Sequence, residues 1–208
     1  MFDLNPQLFE YGIATATFIV GAFYGLKKIK EKLFSEKKKK EQKQYWNIHS
    51  EIHEILTELR IRTDSARAQI IQFHNGEYFM DGVSMKKMSL THESLRSGIS
   101  AEVHQKKDVL ISAYIDFIRS ILESKHKFEI VALMKESYQR QLFFASNVVA
   151  YMAVPIVNKG MNVGYLIVHW CSDEKVDRVK EQVVSNEMKY AKDRIEVQLS
   201  HQISLEKQ

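Results

Sequence analysis

The feature that most constrains this chain is an apolar stretch near its start that is followed at once by lysines. The 19 residues 8–26 are apolar or small except for Glu10, and no charged residue occurs from Tyr11 to Leu26. A helix of that length extends over roughly 28 Å, close to the ~30 Å hydrocarbon thickness of a bilayer. The stretch therefore predicts one transmembrane helix. A buried core helix and a cleaved signal peptide are the alternatives, but Asp3 lies where a signal peptide carries positive charge.

The charges that flank this stretch predict its orientation. Acidic Asp3 comes before it and Glu10 lies near its start, ahead of the uncharged run, whereas Lys27 and Lys28 follow it directly. By the positive-inside rule we expect the N-terminus outside and the rest of the chain in the cytoplasm, at the inner membrane. Within the stretch, Gly21 and Gly25 form a small-xxx-small pair that favours close packing of two such helices.

The net charge is concentrated in one segment. Residues 27–44 contain nine lysines and three glutamates, a net of +6, so the formal charge of +4 leaves −2 for the rest of the chain. The folded part is therefore not expected to bind nucleic acid. Four consecutive lysines predict contact with anionic lipid headgroups, with a solvated linker as the alternative; they are Lys37, Lys38, Lys39 and Lys40.

The next segment has the spacing of a short coiled coil. Apolar residues recur at steps of three and four from Tyr45 through Ile48, Ile52, Ile55 and Leu59. We therefore divide the chain into residues 1–26, a basic linker and helical stalk over 27–62, and a domain over 63–208. A seam of two heptads requires either a partner chain or the following domain. Together with a long apolar helix from about residue 173, it predicts a homodimer.

The domain itself has the pattern of an α+β fold with an antiparallel sheet flanked by helices. Two β-rich runs, 151–157 and 163–170, are separated by a polar turn that contains Gly160 and predict a hairpin. His74-Asn75-Gly76 predicts an earlier turn before a strand over 84–91. Helices are expected over 110–122 and 135–144, with a strand near 128–133.

This hairpin resembles the last hairpin of the GAF family. The resemblance rests on Ala153-Val154-Pro155-Ile156, the turn Lys159-Gly160 and the run Val163–Val168, and it covers about residues 45–202. Residues 77–147 depart from the usual pattern, and a PAS or other profilin-like sheet domain is the competing interpretation. The resemblance implies a sensory domain that holds a small molecule between its sheet and its helices.

The resemblance also directs attention to polar and aromatic residues at the rim of such a site. The candidates are His74, Asn75, His92, Tyr114 and Tyr151. Each has a structural explanation as well, because Asn-Gly suits a turn and tyrosines often lie at the edge of a core. Haem ligation by a histidine is open on residue type alone, with four candidates in the domain: His74, His92, His104 and His169.

Metal and covalent chemistry receive little support from the sequence. His49 and His53 lie four residues apart, as in two-histidine metal sites, but no third ligand accompanies them in a recognised motif. The single cysteine, Cys171, excludes an internal disulfide and fits a reducing compartment. Some GAF-like proteins reduce methionine sulfoxide and need several cysteines, and others attach a bilin to one. Cys171 follows the last strand without a chromophore motif, so we predict no cofactor and no metal.

No phosphate loop, nucleophile elbow or kinase signature is present, so we expect no enzymatic activity. The leading hypothesis is a membrane-anchored sensory or regulatory module that binds a ligand or a partner protein and acts through helix packing. The alternative is a ligand-free scaffold at the membrane, including one encoded by a phage or mobile element.

Overall fold

The computed structural model describes the backbone of residues 6–78, 84–124 and 126–206, and the side chains of residues 24, 26–76, 85–124 and 126–201. The chain forms two compact units, Met1–Asn47 and Ile48–Gln208. Helix α1, Pro6–Arg62, provides the described part of the first unit and opens the second. Within the described residues, no helix combines the length and the apolar character required to cross a membrane.

The second unit is built on a six-stranded antiparallel sheet with the order β3-β2-β1-β6-β5-β4. The strands are β1 (Arg67–Tyr78), β2 (Ser84–Leu95), β3 (Val109–Leu110), β4 (Lys127–Ile130), β5 (Ala150–Asn158) and β6 (Met161–Trp170). The predicted final hairpin is β5–β6, with a positive φ at both Lys159 and Gly160. Gly164 lets β6 approach β1 closely, since a Cβ there would lie 2.0 Å from the carbonyl oxygen of Ile71.

One face of the sheet is covered by the two long helices. The second-unit part of α1 packs there beside α5, Glu181–Glu206. The contacts join the apolar stripe of each helix to inward-facing residues of β1, β5 and β6, such as Ile70, Met152 and Leu166. Burial of these stripes explains why two amphipathic helices are stable here.

The opposite face carries shorter elements. A 3₁₀ helix, Ile111–Tyr114, leads into α2, Ile115–Leu122, and α3 covers Tyr138–Ala145. Phe117, Ile121 and Phe143 from these elements pack on β-strand residues that include Tyr151 and Ile167. The sheet therefore separates two cores, and the core on this face lies where a ligand of the resembled family is expected.

Two sequence predictions need correction. His74, Asn75 and Gly76 do not form a turn, because β1 continues to Tyr78 and Asn75 pairs with Lys86 on β2. The expected continuous C-terminal helix is interrupted: α4, Asp173–Val176, ends before α5 begins. The described part of α1 is one helix, and the predicted division at residues 26 and 62 stays a prediction.

The seam of the stalk has the chain's own domain as its partner. Ile48, Ile52, Ile55 and Leu59 are each at most 4% exposed and lie in the core formed with the sheet and α5. The sequence left open whether this seam packs on a second chain or on the domain that follows it. In the structure it packs on that domain. These four side chains are therefore covered within one chain, and a surface for a second copy must use other residues.

Candidate ligand-binding site

A groove of about 610 Å³ opens on the face of the sheet that carries α2 and α3. One wall is the 3₁₀ helix and α2, the other is the segment that leads into α3, and Glu129 and Tyr151 come from the strands. The volume falls within the range of small-molecule sites, roughly 300–1,000 Å³. Besides the three tyrosines discussed next, polar groups around it include Asp116, Lys127, Lys135, Glu136 and Ser137.

Three tyrosines shape the groove. The rings of Tyr114 and Tyr138 meet edge to face with centroids 5.5 Å apart. The hydroxyl of Tyr151 donates a hydrogen bond of 2.7 Å to the Glu129 carboxylate. Burial, followed by the neighbouring Tyr138, raises the pKa of Tyr114 to about 12. Burial and the bonded Glu129 carboxylate raise the pKa of Tyr151 as well, so both phenols stay protonated at neutral pH.

A second, much smaller cavity lies deeper against the sheet. Its volume is about 20 Å³, enough for one water molecule. Tyr114, Phe117 and Gln139 line both this inner cavity and the outer groove, so these side chains form the partition between them. The rest of its wall is largely aromatic and aliphatic, with further polar groups from Lys106, His169 and the hydroxyl of Tyr165.

A buried network of charged groups lies next to the inner cavity. Glu102, in the loop between β2 and β3, accepts hydrogen bonds of 2.8 Å from Gln69 and 2.6 Å from Lys106. Arg67 lies 3.9 Å from the same carboxylate, and the Glu93 carboxylate accepts a hydrogen bond from the backbone N–H of Glu102. Burial alone would raise the pKa of Glu102, but the Lys106 ammonium and the hydrogen bonds outweigh it and lower the pKa.

His169 on β6 is the most unusual group of this face. Its side chain is fully buried, and neither ring nitrogen has a hydrogen-bond partner among the described residues. Phe143 packs against the ring edge to face, with centroids 5.3 Å apart. Burial, and then the positive charge of Lys106, hold the pKa of His169 well below its usual value. The imidazole is therefore neutral, with one donor and one acceptor nitrogen.

The structure brings together two of the five residues that the sequence singled out. Tyr114 and Tyr151 both line the groove. His74 and Asn75 lie near the end of β1, where Nε2 of His74 is 2.9 Å from the Ser89 hydroxyl on β2. His92 lies on the other face of the sheet and contacts α1. Neither His74 nor His92 belongs to the described lining of the groove or the inner cavity.

Of the residues at this site, Glu102 and Lys106 were absent from the sequence candidates, and His169 was named only for haem ligation. His169 shares its face of β6 with Tyr165 and Ile167, at alternate positions along the strand. A histidine that continues an apolar face of a central strand is a signal that the sequence contains. The contacts of Glu102 and Lys106 with the sheet depend on the path of a loop, and no local pattern indicates them.

The two histidines of α1 acquire a third neighbour through the fold. Nδ1 of His49 lies 2.7 Å from Nε2 of His92, and the rings of His53 and His92 have centroids 5.1 Å apart. Among the described residues no group of three potential ligands is arranged to hold a metal ion. Burial, followed by the charges of His49 and His53, lowers the pKa of His92 to about 3.

Comparison with known proteins was informative at the level of structure only. No family model and no curated protein matches the sequence. Among solved structures, the phycocyanobilin-bound GAF domain of a cyanobacterial phytochrome has a TM-score of 0.55 and 14% identity, covering 80% of this chain and 94% of that chain. A phycoerythrobilin-bound GAF domain from a cyanobacterial phytochrome has a TM-score of 0.54 and 16% identity, with 83% and 98% covered.

The chromophore-binding domain of a bacteriophytochrome from R. palustris has a TM-score of 0.53 and 12% identity, covering 85% of this chain and 62% of that chain. Identities this low establish the fold and leave the ligand open. The chain has an α+β fold of the GAF type, with a curled antiparallel sheet between two layers of helices.

Proposed function

We propose that this protein is a sensory module whose GAF-type domain binds a small molecule in the groove beside α2 and α3. The observation that carries the proposal is the groove itself, with a volume of about 610 Å³ and three tyrosines in its wall. Ligand sites commonly combine such an aromatic lining with a few polar groups that fix orientation. The phenols of Tyr114 and Tyr151 supply such groups, because both remain protonated.

The chain's residues do not fit a bilin attached covalently to a cysteine. Cys171 is outside the described lining of both the groove and the inner cavity, and it accepts a hydrogen bond of 3.4 Å from Arg67. Burial raises the pKa of its thiol, which therefore stays protonated and is a poor nucleophile. The inner cavity is also far too small. We therefore propose a smaller ligand that is bound without a covalent bond.

Membrane anchoring is part of the proposal and is supported by the sequence of α1. The apolar run of residues 8–26, which is uncharged from Tyr11 onward, is long enough to span a bilayer, and lysines follow it. Lys37, Lys38, Lys39 and Lys40 are all exposed, as contact with anionic headgroups requires. Alkaline carbonate extraction of cell membranes tests the anchor. Release of the intact chain into the supernatant contradicts it.

Homodimerisation completes the proposal, with Gly21 and Gly25 as the contact between neighbouring membrane helices. Ligand binding would then alter helix packing in the dimer or the binding of a partner protein. Crosslinking of the full chain in native membranes, compared between wild type and Gly21→Ile, tests this contact. A crosslinked dimer of equal yield in both proteins contradicts a role for the glycine.

Ligand binding is tested by native mass spectrometry of the full chain incubated with fractionated cytosol, followed by titration of the retained compound. We expect Tyr138→Ala to weaken binding at least tenfold, because it removes an exposed aromatic wall of the groove. Val197→Ala, a change at an exposed position of α5, is the matched control. No retained compound, or equal binding by both variants, contradicts the proposed site.

The second candidate function is a ligand-free scaffold at the membrane. It is favoured by the filled core behind the groove, where only about 20 Å³ is empty. The same mass spectrometry experiment separates the two functions. A scaffold retains no compound but crosslinks to another protein in membranes.

A further inference from the structure

The acidic side chains of the outer groove are already paired with cations of the same chain. Each of the three carboxylates in its wall has a basic neighbour: Asp116 with Arg119 at 3.7 Å, Glu129 with Lys127 at 3.4 Å, and Glu136 with Arg140. The Glu129 carboxylate also accepts the hydroxyl proton of Tyr151. A positively charged ligand would therefore compete with a fixed cation at every one of these carboxylates.

One charged side chain of the groove wall has no such neighbour. Lys135 lies in the segment that leads into α3, is exposed, and has no ion-pair partner among the described residues. The groove and its paired neighbours therefore carry one more positive than negative charge. A binding site with a surplus ammonium favours a ligand that brings one negative charge.

Hydroxyl groups beside Lys135 add further hydrogen-bond donors to this wall. Oγ of Ser137 accepts the backbone N–H of Arg140 at 3.1 Å, so its own proton is available for another acceptor. The hydroxyls of Tyr114 and Tyr138 are hydrogen-bonded to each other. Two hydroxyls that share one bond keep one proton to donate. An ammonium together with hydroxyl donors suits the two oxygens of a carboxylate.

The aromatic side chains of the groove suit a flat ring attached to that carboxylate. Tyr138 is 53% exposed, so a ligand can cover a large part of its ring. Phe117 meets Tyr151 edge to face with centroids 5.5 Å apart, and such arrangements accept a further aromatic ring. The outer groove has the volume of a small-molecule site. A ligand with one or two rings therefore needs no opening of the inner cavity.

We propose that the outer groove binds an aromatic carboxylic acid as its anion, with the ring against Tyr138 and the carboxylate on Lys135. This inference rests on the proposed function and adds the chemical class of the ligand. A neutral aromatic compound keeps the contact with Tyr138 but leaves the Lys135 ammonium without an anion. The negative charge therefore distinguishes the preferred ligand from an uncharged compound of the same shape.

A pair of model compounds tests the proposal. Indole-3-acetate and indole-3-acetamide have nearly the same size and shape, but only the first is an anion at neutral pH. Both are titrated by calorimetry into the full chain in micelles of an uncharged detergent at low ionic strength. We expect the acid to bind about fivefold more tightly, as for a charge-assisted hydrogen bond at an exposed site. The preference should shrink as salt is added.

Three variants assign the preference to its residue. Lys135→Met should bind the acid and the amide with equal affinity, whereas Lys135→Arg keeps the charge and should keep the preference. Lys107→Met, at an exposed lysine of the β2–β3 loop, is the matched control and should behave as wild type. Both lysines are exposed, so the variants should fold, and circular dichroism verifies this.

NMR of tyrosine labelled with ¹³C in the ring locates the bound compound during the same titrations. Equal affinity of wild type for the two compounds, with a shifted Tyr138 signal, overturns the preference for an anion and leaves ligand binding in the groove intact. A preference that persists in Lys135→Met refutes the role of that lysine. Binding of neither compound refutes the aromatic acid as the ligand class, and the mass spectrometry with cytosol then decides separately whether the groove binds any compound.

Discussion

Acidification should destabilise this fold through His92, which is 3% exposed between the sheet and α1. Its Nε2 lies 2.7 Å from Nδ1 of His49, and the ring of His53 lies beside it. Its Nδ1 is 3.0 Å from the hydroxyl of Thr91. A proton on His92 would therefore place a buried positive charge directly beside two other imidazoles.

The magnitude follows from the difference between the folded and unfolded pKa values. The pKa of His92 falls from 6.5 to about 3 in the fold, mainly because of burial and then because of His49 and His53. Below pH 6.5 the unfolded state binds the proton and the native state does not, so stability is complete above that pH and is lost as the pH falls toward 3. At about 1.4 kcal/mol per unit, the loss between pH 8 and pH 5 is about 2 kcal/mol.

Urea denaturation at pH 8 and pH 5 measures this loss, with the fluorescence of Trp170 as the probe. Trp170 is buried and donates a hydrogen bond of 3.1 Å to the carbonyl of Thr63, so its environment changes on unfolding. His92→Gln should reduce the pH-dependent loss by about 2 kcal/mol relative to wild type. His104→Gln, an exposed histidine, should leave it unchanged. Equal pH dependence in wild type and His92→Gln refutes the reasoning.

Three further changes test other parts of the structure by the same denaturation assay. Gly164→Ala should lower the free energy of unfolding by at least about 2 kcal/mol, because its Cβ would overlap the carbonyl oxygen of Ile71. A denaturation midpoint equal to that of wild type would show that β6 can move away from β1 without loss of stability. Ile52→Ala should lower the free energy of unfolding by about 3 kcal/mol, because Ile52 fills the core. The change at an exposed position, Val197→Ala, should lower it by less than about 0.5 kcal/mol. Glu102→Gln should lower the free energy of unfolding by about 3 kcal/mol, because it leaves buried Arg67 and partly buried Lys106 without their carboxylate. An unchanged stability contradicts the network.

The sequence was most informative where the pattern is local. The β5–β6 hairpin follows from two β-rich runs around Lys159-Gly160, and the structure has it there. The apolar stripe of Ile48, Ile52, Ile55 and Leu59 was found at helical spacing. The spacing alone does not determine what covers this stripe, because an apolar stripe of this kind can be buried equally well against a second helix or against a sheet.

The turn predicted at His74-Asn75-Gly76 shows how pairing overrides local preference. Asn-Gly is a favourable turn pair, yet Asn75 lies opposite Lys86 in the β1–β2 ladder, and Lys86 donates a hydrogen bond of 2.6 Å to its side chain. Extended backbone at this point continues the ladder toward Tyr78. Turn propensity is worth less than these cross-strand contacts, and a single sequence does not reveal the register that provides them.

Long-range pairing also explains why the interior of the candidate site was missed. His92 and His169 are both buried histidines on strands, but the fold places them on opposite faces of the sheet, beside different helices. His92 finds a hydrogen-bond partner in His49, whereas the nitrogens of His169 have none among the described residues. Residue type makes the two equivalent, and only the difference in partners indicates which one is suited to a ligand.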